Sequence, residues 1–210
     1  MLHSDHDLIA ESQLYSICAA AAVADWAGMQ PDEIKKGIYK IKPVNGRMRH
    51  LKGIKHSKIL DDTYNASPVA VKGALDTLYK IEAPQKIAIL GNMNELGVYS
   101  AEAHTDIGRY CDPKQLDLVV TIGPDANQFL AQAAKAKDCN VETFNNPYDA
   151  GEFLKKYIVE KAVILAKGSQ NGVYAEEAVK LLLANPADAE KLVRQSKHWL
   201  KTKEKNFNSA

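Results

Sequence analysis

The sequence lacks the features that mark membrane-inserted, secreted and nucleic-acid-binding proteins. No apolar run is long enough to span a bilayer, and the N-terminal residues show no basic segment followed by an apolar core. The formal net charge is only +1, which gives no overall field to attract nucleic acid or an anionic membrane surface. We therefore expect no secretory signal, no membrane insertion and no nucleic-acid partner.

Cysteine is also scarce. Its three copies, Cys18, Cys111 and Cys139, include no C-x-x-C pair and no zinc-ligand spacing. An odd number of scattered cysteines is typical of reduced thiols, so we predict a cytoplasmic protein. His3 and His6 have no third ligand close in sequence, and we predict no metal site.

Short apolar runs alternate with segments of helical periodicity along most of the chain. Strands are predicted at 58–60, 86–90, 116–122, 141–144 and 162–166. Helices are predicted at 11–28, from 31 onward, and at 68–78, 101–110, 126–137, 147–158, 174–183 and 187–200. This alternation, with short connections, predicts a doubly wound, mostly parallel α/β sheet of the Rossmann-like type.

A break in the periodicity divides the chain. The segment KPVNGR, residues 42–47, carries a proline and a glycine after the first two helices. We predict a helical leader over 1–46, an α/β domain over 47–200 and a flexible polar tail over 201–210.

Polar loops follow three of the predicted strands, at residues 62–67, 91–97 and 167–170. In a doubly wound sheet all three fall at the same edge, which predicts one shared ligand site. The helix after the first loop begins with Ser67 as cap and Pro68 in its first turn, and such a helix N-terminus suits a phosphate. The alternative is that these polar residues only cap helices and satisfy turns.

Two adjacent carboxylates, Asp61 and Asp62, end the first strand. Side chains alternate along a strand, so we expect the two to point to opposite sides. One of the two can therefore face the cleft while the other caps a turn or faces solvent.

The first loop reads DDTYNASP, which resembles the DD-[ST]-YN-x-[NS]-P signature of Mur ligases of the MurF type. The second lies in LGNMNELG, which resembles LGDMxELG with Asn92 in place of the usual aspartate. His104 and Gly108 resemble the family's H-x-x-[IV]-G, although we expect His104 to be a packed or capping residue. The third resembles KGS[RH], with Gln170 where arginine is common. The leader resembles the last two helices of the family's central ATPase domain.

The resemblance implies the C-terminal portion of an ATP-dependent ligase that joins D-alanyl-D-alanine to UDP-N-acetylmuramoyl-tripeptide. ATP and Mg²⁺ are implied, the metal being bound mainly by the rest of the central domain, whose metal-binding glutamate and histidine have no counterpart in this sequence. It further implies that Arg47 contacts phosphates, Asp62 the ribose, and Tyr64 and Asn65 neighbouring nucleotide atoms. Asp62 is then the carboxylate that faces the cleft, and we expect Asp62→Ala to weaken nucleotide binding while changing stability little. No catalytic residue is implied in this chain. The residues implied on the dipeptide side, for which a structural role is an equal alternative, are Asn92, Glu95, Lys167 and Ser169.

Two functions of different class stay open. One is the ligase portion, with the missing domains on the same or a separate chain. The other is a stand-alone, non-catalytic α/β module that binds a nucleotide or a partner; the lack of any P-loop, G-x-x-x-x-G-K-[ST], favours it for this chain alone. Folylpolyglutamate synthase or another Mur ligase fits the loops less well.

Overall fold

The computed structural model describes residues 11–207, and the chain divides into two compact units between Val44 and Asn45. The predicted boundary lay two residues later. Asn45 and Gly46 fall in the second unit because they hydrogen-bond within it: the Gly46 amide donates to Asp61 and its carbonyl accepts from Tyr64.

The first unit contains two helices among its described residues, α1 (Glu11–Trp26) and α2 (Pro31–Ile38), close to the predicted positions. Gly28 adopts a φ of 85°, in the left-handed region that ends helices readily. Pro31 lies in the first turn of α2, and the Gln30 amide donates to the Glu33 carboxylate at 3.0 Å.

The second unit is built on a six-stranded sheet in the order β1-β2-β6-β3-β4-β5. The strands are β1 (Arg49–Lys52), β2 (Lys58–Asp62), β3 (Lys86–Gly91), β4 (Leu118–Ile122), β5 (Val141–Phe144) and β6 (Val163–Lys167). β1 pairs antiparallel with β2, and all the other pairs are parallel. The predicted mostly parallel α/β sheet is therefore confirmed, with β1 as an edge strand that was not predicted.

Helices cover both faces of this sheet. One face packs on α6 (Pro147–Tyr157) and α7 (Glu176–Leu182), through a core that takes alternate residues of every strand except β5, such as Ile87, Ile89 and Ile164. On the opposite side lie α3 (Pro68–Tyr79), α4 (Ser100–Tyr110) and α5 (Ala131–Lys135), with α3 packed on β6 and α4 on both α3 and α5. Because both faces of the sheet are covered, the central strands are near-continuous apolar runs.

The α4–α5 contact is unusually close. A π-helical turn, Ala126–Leu130, leads into α5, where a single α-helix was predicted. A Cβ at Gly108 would collide with the Leu130 carbonyl and lie 2.6 Å from Cβ of Ala133. Glycine at this position therefore sets the distance between the two helices.

The C-terminal segment differs from its prediction. Instead of one helix over 187–200 there is a 3₁₀ turn, Pro186–Lys191, then a bend at Arg194 with a φ of 54°, and then α8 (Lys197–Phe207). Residues 201–207, predicted as part of a flexible tail, belong to α8, because Lys203 is buried in ion pairs with α7. Residues 208–210 lie outside the described range. Within residues 11–207, no helix combines the length and apolarity needed to cross a bilayer.

Candidate nucleotide-binding edge

The three polar loops lie together at the carboxyl edge of β2, β3 and β6 and hydrogen-bond to one another. Ser169 joins them: its amide donates to the Asn92 carbonyl at 3.0 Å, and its hydroxyl accepts from the Asn94 amide at 2.9 Å. The same hydroxyl donates to the Ala66 carbonyl at 3.4 Å. They meet because β6 lies between β2 and β3 and all three strands run parallel. The prediction that these loops share one edge is confirmed.

Asp61 and Asp62 point to opposite sides of the sheet, as the alternation predicted. Asp61 is fully buried, and its carboxylate accepts from the Thr63 hydroxyl at 2.6 Å, the Thr63 amide at 3.3 Å and the Gly46 amide at 3.2 Å. Burial raises the pKa of Asp61 to about 6, against the lowering effect of the Thr63 hydrogen bonds. Asp61 thus joins Gly46, which precedes β1, to Thr63, which follows β2. Its buried carboxylate does not face a cleft.

Asp62 forms a buried ion pair with Lys167. The two residues are neighbours in the β2–β6 register, and Nζ of Lys167 lies 2.5 Å from one Asp62 oxygen, with side-chain exposures of 1% and 12%. The other Asp62 oxygen accepts from the Met48 amide at 3.1 Å, and Nζ of Lys167 also donates to the Asn65 carbonyl at 2.9 Å. Burial raises the pKa of Asp62, and the Lys167 charge opposes this rise. The pair therefore holds the first loop against β6.

This geometry corrects the expectation that Asp62→Ala would change stability little. Removing the carboxylate leaves the Lys167 ammonium buried without its counter-charge, a change that typically costs about 3–5 kcal/mol. The sequence also placed Asp62 and Lys167 on different sides of the site, whereas the structure brings them into direct contact.

Arg47 and Tyr64 form the exposed part of the edge. The Arg47 guanidinium lies over the Tyr64 ring, 4.2 Å from its centroid, and both residues are exposed. A hydrogen bond of 3.0 Å from the Tyr64 amide to the Gly46 carbonyl keeps the two segments together. Asn65 is exposed as well. A guanidinium beside an aromatic ring is chemically suited to bind a phosphate and to stack on a planar base.

The residues expected on the dipeptide side are distributed differently. Lys167 and Ser169 are buried in the hydrogen bonds described above. The side-chain oxygen of Asn92 accepts from the Ala126 amide at 2.8 Å, so Asn92 holds the start of the π-helical turn. Glu95 is exposed, in a left-handed conformation with a φ of 65°.

His104 is a packed histidine, which is one of the two roles that the sequence predicted. It is fully buried on α4, and its Nε2 accepts from the Met93 amide at 2.9 Å. Its Nδ1 lies 2.8 Å from the Ser100 carbonyl, so the proton is assigned to Nδ1. His104 therefore fixes the second loop against α4.

Sequence reasoning missed Arg194, which reaches the first loop from the C-terminal segment. Its guanidinium donates to the carbonyls of Thr63 and Tyr64 and to both carboxylate oxygens of Glu176. One signal was present: Glu176 and Glu177 precede the apolar residues of a helix that packs on the sheet, and buried carboxylates need partners. No spacing rule identifies which distant cations supply them.

The chain is similar to known proteins in sequence and in fold. The profile of the Mur ligase glutamate ligase domain matches residues 46–170. The UDP-N-acetylmuramoyl-tripeptide–D-alanyl-D-alanine ligase of Bacillus subtilis is 29% identical over 183 residues, which are 85% of this chain and 39% of the relative.

Two solved structures are similar in fold and in sequence. MurF from Acinetobacter baumannii superposes with a TM-score of 0.72 at 26% identity, over 85% of this chain and 38% of that protein. The MurF ligase from Thermotoga maritima, in complex with ADP, has a TM-score of 0.69 at 27% identity, over 86% and 39% respectively. This chain thus spans about two fifths of the length of these relatives. Because the profile match extends over more than half of the sequence and includes all three loops, the chain belongs to the Mur ligase family.

Proposed function

We propose that this chain is the C-terminal part of a cytoplasmic, ATP-dependent ligase that adds D-alanyl-D-alanine to UDP-N-acetylmuramoyl-tripeptide in peptidoglycan precursor synthesis. The observation that carries the proposal is the joining of the three family-type loops by Ser169 at one sheet edge. The substrates named for the Bacillus subtilis relative support the choice of dipeptide and tripeptide.

A ligase of this type activates a carboxylate as an acyl phosphate, which an amine then attacks. The protein's part is to position the reactants and to stabilise the developing phosphate charge. We assign the nucleotide to Arg47, Tyr64, Asn65 and Asp62. Arg47 supplies a phosphate contact and Tyr64 an aromatic face, since both are exposed; Asp62 contributes through the small part of its carboxylate that the Lys167 pair leaves open.

The dipeptide is assigned to the second and third loops. Glu95 is the exposed member of that set and is suited to contact the dipeptide ammonium group. Asn92, Lys167 and Ser169 act by holding the loops in place, because their polar atoms already bond to protein groups.

Magnesium is assigned to the central domain that the resemblance implies. Among residues 11–207 there is no group of three or more His, Cys, Asp or Glu side chains arranged to hold a metal ion.

The remaining ligase domains would supply the P-loop, on the same polypeptide or on a separate chain. Helix α1 exposes large apolar side chains, with Tyr15 71%, Val23 65% and Trp26 89% exposed. Apolar surface of this kind is typical of contacts with another domain, which supports such a partner.

The proposal is tested by assaying ligation with and without the missing domains. The purified 210-residue chain, given ATP, Mg²⁺, the UDP-linked tripeptide and D-alanyl-D-alanine, should form no ligated product in a mass-spectrometric assay. The same chain joined to the upstream portion of the Bacillus subtilis relative should form product. In that fusion Arg47→Met should lower activity at least tenfold, while Arg109→Met, on the exposed surface of α4, should not.

Product formation by the chain alone would contradict the proposal that this chain is only a part of the ligase. A fusion that folds and binds ADP but never ligates would favour the stand-alone nucleotide-binding module instead.

A further inference from the structure

Four buried charges connect the C-terminal segment (residues 190–207) to α7. Nζ of Lys203 lies 2.8 Å from the carboxylate of Glu176 and 2.6 Å from that of Glu177, and all three side chains are at most 1% exposed. Arg194 pairs with Glu176 at 2.7 Å, with its side chain 6% exposed. Charges so deeply buried persist only when each has its partner, so this cluster fixes the position of the segment.

Arg194 connects this buried cluster to the first loop by hydrogen bonds. Its Nη2 donates to the Thr63 carbonyl at 2.5 Å and its Nη1 to the Tyr64 carbonyl at 3.0 Å. The planar fork of the guanidinium allows one side chain to hold a carboxylate and two carbonyls at once. The Arg194 backbone, with a φ of 54°, is itself held by Lys203, which donates to its carbonyl at 2.9 Å.

The same segment also packs on the residues before Arg47. The Asn45 amide group donates to the carbonyls of Glu190 and Leu192, each at 3.4 Å. A Cβ on Gly46 would lie 2.7 Å from Cγ1 of Val193, so the Val193 side chain packs against the Gly46 backbone more closely than a larger residue would allow. The C-terminal segment thus contacts both pieces of chain that present Arg47 and Tyr64.

We infer that Arg194 is a positioning residue for the nucleotide edge, and that the C-terminal segment (residues 190–207) and a bound nucleotide stabilise each other. This rests on the proposed function, because it assigns Arg47 and Tyr64 to the nucleotide. Nε, Nη1 and Nη2 of Arg194 all donate to protein oxygens, so we expect it to act through the Thr63 and Tyr64 carbonyls. A nucleotide that requires the ordered loop binds more tightly when the segment is docked, and by linkage it tightens the docking in return.

The test compares Arg194→Lys with Lys191→Met in the full 210-residue chain. Lysine keeps the charge beside Glu176 but lacks the fork that reaches both carbonyls. Lys191 lies in the same segment, pairs with Asp188 at 2.7 Å and provides the matched control. Two quantities are measured at a temperature where every variant is folded: amide hydrogen exchange at Tyr64, and the dissociation constant for ADP from the chemical shifts of the first loop.

Arg194→Lys should accelerate exchange at Tyr64 and weaken ADP about tenfold, as expected for the loss of one strong hydrogen bond. Exchange in the core of β4 should stay unchanged, since a general loss of stability would move it too. Saturating ADP should slow amide hydrogen exchange in α8 of the wild-type chain. In Arg194→Lys it should slow this exchange much less.

Unchanged exchange at Tyr64, or faster exchange with unchanged ADP affinity, would overturn the inference. If Lys191→Met weakens ADP as strongly, the effect is not specific to Arg194 and the inference also fails. If the wild-type chain shows no ADP shifts, the failure belongs to the proposed nucleotide edge; an exchange change at Tyr64 would then leave Arg194 only a local role in the loop.

Discussion

The buried Asp62–Lys167 pair gives the sharpest quantitative test of this structure. We consider three variants of the full chain: Asp62→Asn, Lys167→Met and the double variant. Asparagine keeps the shape and the acceptor for the Met48 amide but removes the charge. Methionine keeps much of the lysine's length and removes its ammonium group.

The structure sets the expected sizes. Asp62→Asn leaves the Lys167 ammonium in a site where its side chain is 1% exposed, and we expect a loss of about 3–5 kcal/mol. Lys167→Met should cost less, because burial already raises the pKa of Asp62 and the lone carboxyl can take up a proton. The double variant removes both charges, so its cost should fall about 2–3 kcal/mol short of the sum.

The assay is urea unfolding at neutral pH, followed by far-ultraviolet circular dichroism, with a constant m-value as the check that one transition is compared. An exposed pair on α6 provides the control. Lys155 and Glu152 lie 2.7 Å apart, close to the 2.5 Å of the buried pair, but their side chains are 37% and 57% exposed. The matching cycle, Glu152→Gln with Lys155→Met, should give a coupling below about 1 kcal/mol.

Equal coupling in the two cycles would refute this expectation, because the expected difference comes from burial and not from the distance between the charges. A coupling near zero for Asp62–Lys167 would mean that water reaches the pair and that Asp62 is more open to a ligand than its 12% side-chain exposure indicates.

Two further predictions concern stability. Burial raises the pKa of Asp61 from 3.8 to about 6, so the folded state holds this proton more tightly than the unfolded state. The contribution is complete below about pH 3.8, and about 3 kcal/mol is lost as the pH rises through about 6. Urea titrations should show this slope in the wild type relative to Asp61→Asn; a difference that is independent of pH would contradict it. A chain that begins at Asn45 should unfold in one cooperative transition by circular dichroism, because Asn45 and Gly46 bond within the second unit. A broad, non-cooperative melt would show that residues 1–44 are required for its fold.

The central elements were predictable because their signals are local. β3 and β6 are short runs of apolar residues buried on both faces, and such runs identify interior parallel strands without any knowledge of their neighbours. Ser67 and Pro68 marked the start of α3 in the same way. β1 was not predicted, because its sequence RHLK has a single apolar residue and becomes a strand only by pairing with β2.

The C-terminal segment was mispredicted for a related reason. A polar stretch with several lysines is typical of a loose tail, and nothing local distinguishes Lys203 from its neighbours. Lys203 is buried because it meets Glu177, 26 residues earlier in the sequence, and that pairing orders α8.

The local residue pattern was sufficient to predict a mostly parallel α/β sheet with three polar loops at one edge. It also determined that Asp61 and Asp62 face opposite sides, since periodicity and strand direction are properties of neighbouring residues. The tertiary fold alone places β6 beside β2, which puts Lys167 against Asp62 across 105 residues of sequence. It also brought Arg194 to the first loop. Both contacts join residues that lie far apart in the sequence, so no local pattern predicts them. A buried charge is stable only beside its counter-charge, and here that partner comes from a distant part of the chain.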